Sequence, residues 1–416
     1  MAELRRSLGV GRGTAMMLNI VLGAGLLTLP GLAHQAVGGA ALVVWLACAL
    51  AAAPLLLVFA ILGRRHADAG GLATIMGRAF GAAGRVPATF LFLGAVSVGL
   101  PAIALTGGHY AAAALGGVPH LYAAGLIVAA LAVNLLAAEL AARVNAAVAS
   151  LVVLVILAVA VLGWVAVSPD LGAVAVAATD WPGLPVFGLT FMMVFFAFTG
   201  WEVSANLGEE FRDPGRDLPL AMAASFAIAV ALYLALAVVV AGSGKTGADP
   251  APFARIFGAA FGPAGANAVS AVAVLLIFAN LSAAIWAVSR MVYATAREGL
   301  LPPVLARVDR GVPLAAVALT VGVLLAVVAM AGSGLFDLGL LLAAAGQNFL
   351  LLYGAAAAAL FRLGDRAWHP WLGGLGLAIV VALLIGRGGE GSLYPAVLIL
   401  AGLGLAAVRA RRRKPA

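Results

Sequence analysis

Glu202 is the one acidic residue placed well inside an apolar span of this chain, and it stands just beyond a Thr199-Gly200 interruption. A carboxylate in that setting costs about 2.5–3.5 kcal/mol and marks a functional site by default. Two roles fit it. It can bind and release a proton as a cavity opens to either side, or it can hydrogen-bond unwound backbone and hold the break open. A second interruption, Gly23-Ala24-Gly25 followed by Pro30, lies in the first apolar span. A break at mid-depth in a membrane persists only where protein or a watery cavity takes over the backbone hydrogen bonds. The half-helix after a break offers free N–H groups and a positive dipole end; the half before it offers carbonyls and a negative end. A zwitterion such as an amino acid needs both within a few ångströms. Its carboxylate suits the N–H groups after Gly23 and Gly25, and its ammonium suits the carbonyls near Val21, Leu22 and Phe196–Phe198. The predicted substrate set is therefore Leu22, Gly23, Ala24, Gly25 and Leu26 with Phe196, Ala197, Phe198, Thr199 and Gly200, and Glu202 is the proton-coupling candidate. The plainer reading of the glycines is close helix packing, and that of the aromatics is core or lipid contact.

Around this pair lie weaker candidates. Phe196 and Phe198 could cover a ligand as a gate, beside Phe195 and Trp201. Trp286, Gln347 and Asn348 are further cavity candidates, and Asn280 and Ser282 suit either a cation or a helix–helix bond. Away from the span ends no Arg or Lys is placed inside a span, so a cationic or dianionic ligand would lack a dedicated counter-charge. A neutral, mainly apolar amino acid fits better. Zinc, phosphate-loop and nucleophile-elbow motifs are absent from the sequence. The five histidines are scattered, and His109 reads as packed or interfacial. The single cysteine, Cys48, reads as a small buried apolar residue. No cofactor and no metal are expected, and the chain reads as something other than an enzyme.

The elements that must hold these residues follow from composition. The chain of 416 residues is 64% hydrophobic and only 10% charged, against about 25% charged in soluble domains. It reads as an all-α polytopic membrane protein with twelve spans, near 11–35, 37–62, 86–113, 121–141, 145–168, 184–208, 217–242, 265–292, 312–332, 337–361, 370–386 and 392–409. The N-terminal apolar run is too long for a signal core and contains Gly and Pro, so it is predicted to remain as a span. With the N-terminus inside, all of the 24 basic residues except Lys245, Arg255 and Arg387 fall on the cytoplasmic side. Both termini are then cytoplasmic. The net charge of +8 is explained by topology, and no nucleic-acid partner is needed.

The chain also echoes itself. Ala79-Phe80-Gly81-Ala82-Ala83-Gly84 and Ala260-Phe261-Gly262-Pro263-Ala264-Gly265 are 181 residues apart, and each precedes the third span of its half. Five spans per half is an odd number, so the second half enters from the opposite side. The result is a predicted 5+5 inverted repeat with broken helices 1 and 6, covering 11–168 and 184–361, plus two peripheral helices over 370–409. The segments around Leu72–Phe80 and Phe253–Phe257 are expected to be short amphipathic interfacial helices.

These residues resemble the amino acid–polyamine–organocation (APC) superfamily. The likeness rests on Leu22-Gly23-Ala24-Gly25-Leu26 through Pro30, on Phe198-Thr199-Gly200-Trp201-Glu202 through Glu210–Pro219, and on Ser289–Pro302. Glu298 stands where the superfamily more often has Asp. The chain is further similar to the bacterial methionine/branched-chain amino acid exporters, in Leu8-Gly9, Ile61–Arg64, Ala69–Gly71, Val98–Ala102 and Ser392–Tyr394. It departs from them at Ala24, Thr199 and Trp201. The resemblance implies a secondary active transporter in a bacterial inner membrane that exports methionine, leucine, isoleucine and valine, driven by protons. An uptake permease or exchanger on the same fold, and a non-transporting amino-acid sensor, are the alternatives.

Overall fold

A computed structural model describes residues 8–22, 24–65, 71–136, 138–177, 179–204, 211–309, 311–389 and 391–412. Gly23, directly in the first break, lies outside that set, as do residues 205–210 after the second.

Among the described residues there are helices, short 3-10 turns and two isolated bridges, and no strands. The helices in chain order are α1 (Val10–Val21), α2 (Leu29–Val37), α3 (Ala41–Arg65), α4 (Gly71–Phe80), α5 (Ala82–Leu115), α6 (Pro119–Leu136), α7 (Ala138–Val167) and α8 (Leu171–Ala177). They continue with α9 (Leu184–Phe195), α10 (Trp201–Ser204), α11 (Asp217–Gly242), α12 (Pro252–Arg297), α13 (Leu314–Gly332), α14 (Leu338–Leu363), α15 (His369–Arg387) and α16 (Leu393–Arg412). Eight helical stretches among the described residues are long and apolar enough to cross a membrane. The other four expected crossings fall short for visible reasons. The first and sixth are interrupted, and the described apolar parts of the fourth and fifth reduce to Pro119–Leu135 and Leu151–Val167.

Both interruptions are real. The first span ends as α1 at Val21, resumes as a 3-10 turn over Ala24–Leu27, and becomes α2 at Leu29. Pro30 sits in the first turn of α2, where its missing N–H removes no helical bond and its fixed φ suits the helix. The sixth span ends as α9 at Phe195, tightens into a 3-10 turn over Phe196–Phe198, and restarts as α10 at Trp201. Between them Thr199 is extended and Gly200 has φ 107°. That conformation is open to glycine and strongly disfavoured for other residues.

The echo has the same local geometry twice. Gly81 joins α4 to α5 with φ 62°, and Gly262 kinks α12 with φ 68°. A Cβ on Gly84 would meet Phe80 Cβ and Met76 O, both at 2.7 Å; a Cβ on Gly265 would meet Phe261 Cβ at 2.6 Å and Phe257 O at 2.7 Å. In each copy a short helix turns on a left-handed glycine and is clasped by a second glycine three residues on. The expected amphipathic helices are thus present as α4 and the part of α12 before Gly262.

The long helix α5 forms the centre, packing against α12, α14, α6 and α16. On the arginine-rich face Arg85 pairs with Glu298 at 2.5 Å, and Arg409 donates to the Glu298 carbonyl. The starts and ends of α5, α12 and α16 are fastened at one point.

Candidate functional site

The two breaks wall a single cavity of about 240 Å3. From the first break come Val21, Gly25 and Leu26; from the second come Phe196, Ala197, Thr199, Gly200 and Glu202. α5 closes one side with Gly99 and its neighbours, and α12 and α14 contribute Asn280 and Phe349. Glu202 is 6% exposed and is the only ionisable residue in the wall among the described residues. A cavity this small and apolar, with a few convergent polar groups, suits a small ligand with an apolar tail.

The sequence prediction divides cleanly here. Gly25, Leu26, Phe196, Ala197, Thr199, Gly200 and Glu202 line the cavity. Gly23 lies outside the described residues, and for Ala24 only the backbone is described. Leu22 is buried but is not part of the wall, and the preceding residue, Val21, takes its place. Phe198 does not share a gate with Phe196. Its ring packs edge-on to Tyr233 at 5.1 Å and against Trp45 and Phe226, away from the cavity. Residues two apart on an α or 3-10 turn project to nearly opposite sides, so Phe196 and Phe198 meet different surroundings. Phe196 is tilted against Phe349 at 6.3 Å, and a Cβ on Gly99 would come within 3.1 Å of its ring.

The outlying candidates also separate. Asn280 lines the cavity. Ser282 instead accepts from Asn134 Nδ2 through its carbonyl at 3.0 Å and its hydroxyl at 3.1 Å, which ties α12 to α6. Trp286 is 50% exposed and lies under the Arg290 guanidinium, so it is a surface residue rather than a cavity residue. Gln347 accepts from Arg387, which is buried at 5% exposure. Asn348 is fully buried, and neither of its side-chain polar atoms has a hydrogen-bond partner. His109 lies in a separate cavity of about 870 Å3, with Gln35, His120, Thr190 and Asp337. Cys48 is buried with Sγ 3.6 Å from Phe191 O, as its small apolar character suggests.

Three tyrosines complete the site, and the sequence reading misses all of them. Tyr353 of α14 donates to Glu202 Oε2 at 2.6 Å, and the same oxygen accepts the Gly200 N–H at 2.9 Å. The carboxylate thus caps the restarted helix directly after the break. Tyr233 of α11 donates to Ala197 O at 2.8 Å, and its oxygen lies 3.5 Å from Val21 O, so one hydroxyl stands between the two breaks. Tyr110 of α5 donates to Leu27 O at 2.7 Å. A buried tyrosine hydroxyl needs a partner, and unwound backbone offers one; that pairing is the signal available in advance.

This arrangement changes the expected ligand contacts. The Phe196 carbonyl already accepts from the Thr199 hydroxyl at 2.8 Å, and the Ala197 carbonyl accepts from Tyr233. The second break therefore spends most of its carbonyls internally. Val21 O, by contrast, has only the 3.5 Å approach of the Tyr233 hydroxyl among the side-chain contacts of the described residues.

An all-helical chain with paired broken helices around a small buried cavity is built as a membrane transporter. The chain belongs to the amino acid permease family, whose model matches residues 8–400, and so to the APC superfamily. It is a multi-pass membrane protein of the transporter class rather than an enzyme. It is 31% identical over 412 residues to the uncharacterized amino acid permease YecA of Bacillus subtilis (strain 168), covering 96% of this chain and 95% of that one. It is 30% identical over 230 residues to the L-methionine/branched-chain amino acid exporter YjeH of Escherichia coli (strain K12), covering 53% of each chain.

Proposed function

We propose that this permease is a proton-coupled secondary exporter of neutral apolar amino acids (methionine, leucine, isoleucine and valine) that works by alternating access. The observation that carries the reading is the shared cavity: two half-helix ends meet around a small apolar volume whose one ionisable wall residue, among the described residues, is Glu202. The N–H groups at the start of the Ala24–Leu27 turn take the substrate carboxylate, Val21 O takes the ammonium, and Leu26, Phe196 and Phe349 enclose the side chain. Glu202 carries the coupling proton, held between Tyr353 and the Gly200 N–H. A partial relative described as a methionine/branched-chain exporter supports the substrate class and the direction.

The proposed architecture is twelve crossings in a 5+5 inverted repeat, residues 11–168 and 184–361, with helices over 370–409 outside it. The matching turns at Gly81 and Gly262 support the repeat. The distribution of basic residues supports cytoplasmic termini in a bacterial inner membrane.

Counterflow in proteoliposomes tests the proposal, using labelled methionine, leucine, alanine, lysine and glutamate with and without an imposed pH gradient. Exchange of methionine and leucine, and accumulation driven by the gradient, are expected. No exchange of any neutral amino acid overturns the transport reading, and uptake favoured under every gradient polarity overturns export.

A further inference from the structure

Behind the central cavity lies a second one of about 170 Å3, formed between α5, α12 and α13. The two cavities share two wall residues, Val96 and Leu100. Helical geometry explains the sharing. Ala95, Gly99 and Ile103 line only the central cavity and Leu93 and Ser97 only the second, so Val96 and Leu100, four residues apart, form the ridge between the two faces of α5. Nothing but these two side chains from α5 belongs to both volumes.

The second cavity is built to stay dry. Its two hydroxyls are engaged elsewhere: Ser97 Oγ bonds Gly94 O and the Tyr394 hydroxyl, each at 2.9 Å, and Thr320 Oγ1 donates to Ala316 O at 2.8 Å. The rest of its wall is aliphatic, including Val288 and Val323. A buried water needs two to four polar partners, and apolar cavities without them remain empty. An aliphatic volume one side chain away from the central cavity is the natural place for additional apolar ligand atoms.

We propose that Val96 and Leu100 are specificity-determining residues: they partition the two cavities and set the largest apolar side chain the permease carries, with the second cavity as a latent extension of the first. This rests on the central cavity being the amino-acid site. In a hydrophobic pocket each methylene shifts discrimination by about 10–200-fold. Truncating either partition residue therefore raises exchange of bulky substrates relative to leucine by at least about tenfold.

The test is counterflow by Val96→Ala, Leu100→Ala, Val323→Phe and the double variant Leu100→Ala/Val323→Phe. Each is read as the ratio of phenylalanine or tryptophan exchange to that variant's own leucine exchange, which removes losses in folding or reconstitution. The expected result is a raised ratio in both truncations. Val323→Phe fills the second cavity from behind, so alone it leaves the wild-type ratio unchanged, and in the double variant it restores that ratio. Unchanged ratios in both truncations overturn the partition. So does loss of all exchange in both truncations while the wild type remains active, because a wall between two voids tolerates shortening. Inactivity of the wild type toward every amino acid instead overturns the underlying transport reading.

Discussion

The two breaks solve the same problem by different means. The first, from Val21 to Thr28, is held mainly by packing. Among the described residues, one short bond reaches its backbone from a side chain elsewhere, Tyr110 to Leu27 O, and Thr28 turns its own hydroxyl away to Pro250 O at 2.5 Å. The second, from Phe196 to Trp201, is stitched by Thr199, Glu202, Tyr233 and Tyr353. The difference assigns them different work. Backbone not engaged by side chains is available to a ligand, whereas backbone capped by a titratable group is available to a proton. On this reading the first break is the recognition half and the second is the coupling half.

The sharpest way to break the contrast is a matched pair of glycine substitutions. Gly200→Ala forces a side chain into φ 107° and moves an N–H that Glu202 uses. We expect a loss of about 1–3 kcal/mol, seen as a lower melting temperature in detergent together with abolished exchange. At Gly25 a Cβ meets only Leu29 Cδ1 at 3.3 Å and the Phe196 ring at 3.5 Å. Gly25→Ala is therefore expected to leave stability within about 1 kcal/mol while weakening substrate affinity. Equal destabilisation by the two would erase the distinction.

Next in size is Glu202→Gln. Glutamine can still hydrogen-bond at this position, so leucine exchange is expected to persist while accumulation driven by a pH gradient disappears. Unchanged pH dependence in this variant removes Glu202 from coupling and leaves it a cap. Tyr353→Phe leaves the buried carboxylate short of one donor, at a cost of about 1–3 kcal/mol. A shifted pH profile with near-normal leucine binding is the expected result, measured by proteoliposome transport and equilibrium binding. Tyr110→Phe carries the smallest effect, about 0.5–1.5 kcal/mol of stability, with pH dependence unaltered. A pH shift there, and none in Tyr353→Phe, would reverse the assignment of the halves.

Some of this was legible in the sequence for identifiable reasons. Glycines inside apolar runs marked both breaks, Gly23 and Gly25 in the first and Gly200 beside Glu202 in the second. The echo around Gly81 and Gly262 was legible because a left-handed turn restricts the residue type. The tyrosines were not, since their partners lie 36 to 212 residues away and depend on how the helices meet. The split between Phe196 and Phe198 was legible from spacing alone, because residues two apart on a helical turn do not share a face. The Arg387–Gln347 contact was not legible, because the end of α15 and the interior of α14 approach each other only in three dimensions.

Tyr233 carries a last implication, which is one of stoichiometry. Its oxygen lies near two carbonyls, Ala197 O and Val21 O, but a hydroxyl has a single hydrogen to give. As long as Ala197 is served, the helix end at Val21 is one donor short. A primary ammonium carries three. On the proposed reading, an ammonium in the cavity supplies the donor that, among the described side chains, none supplies at short range to Val21 O while Ala197 O is served.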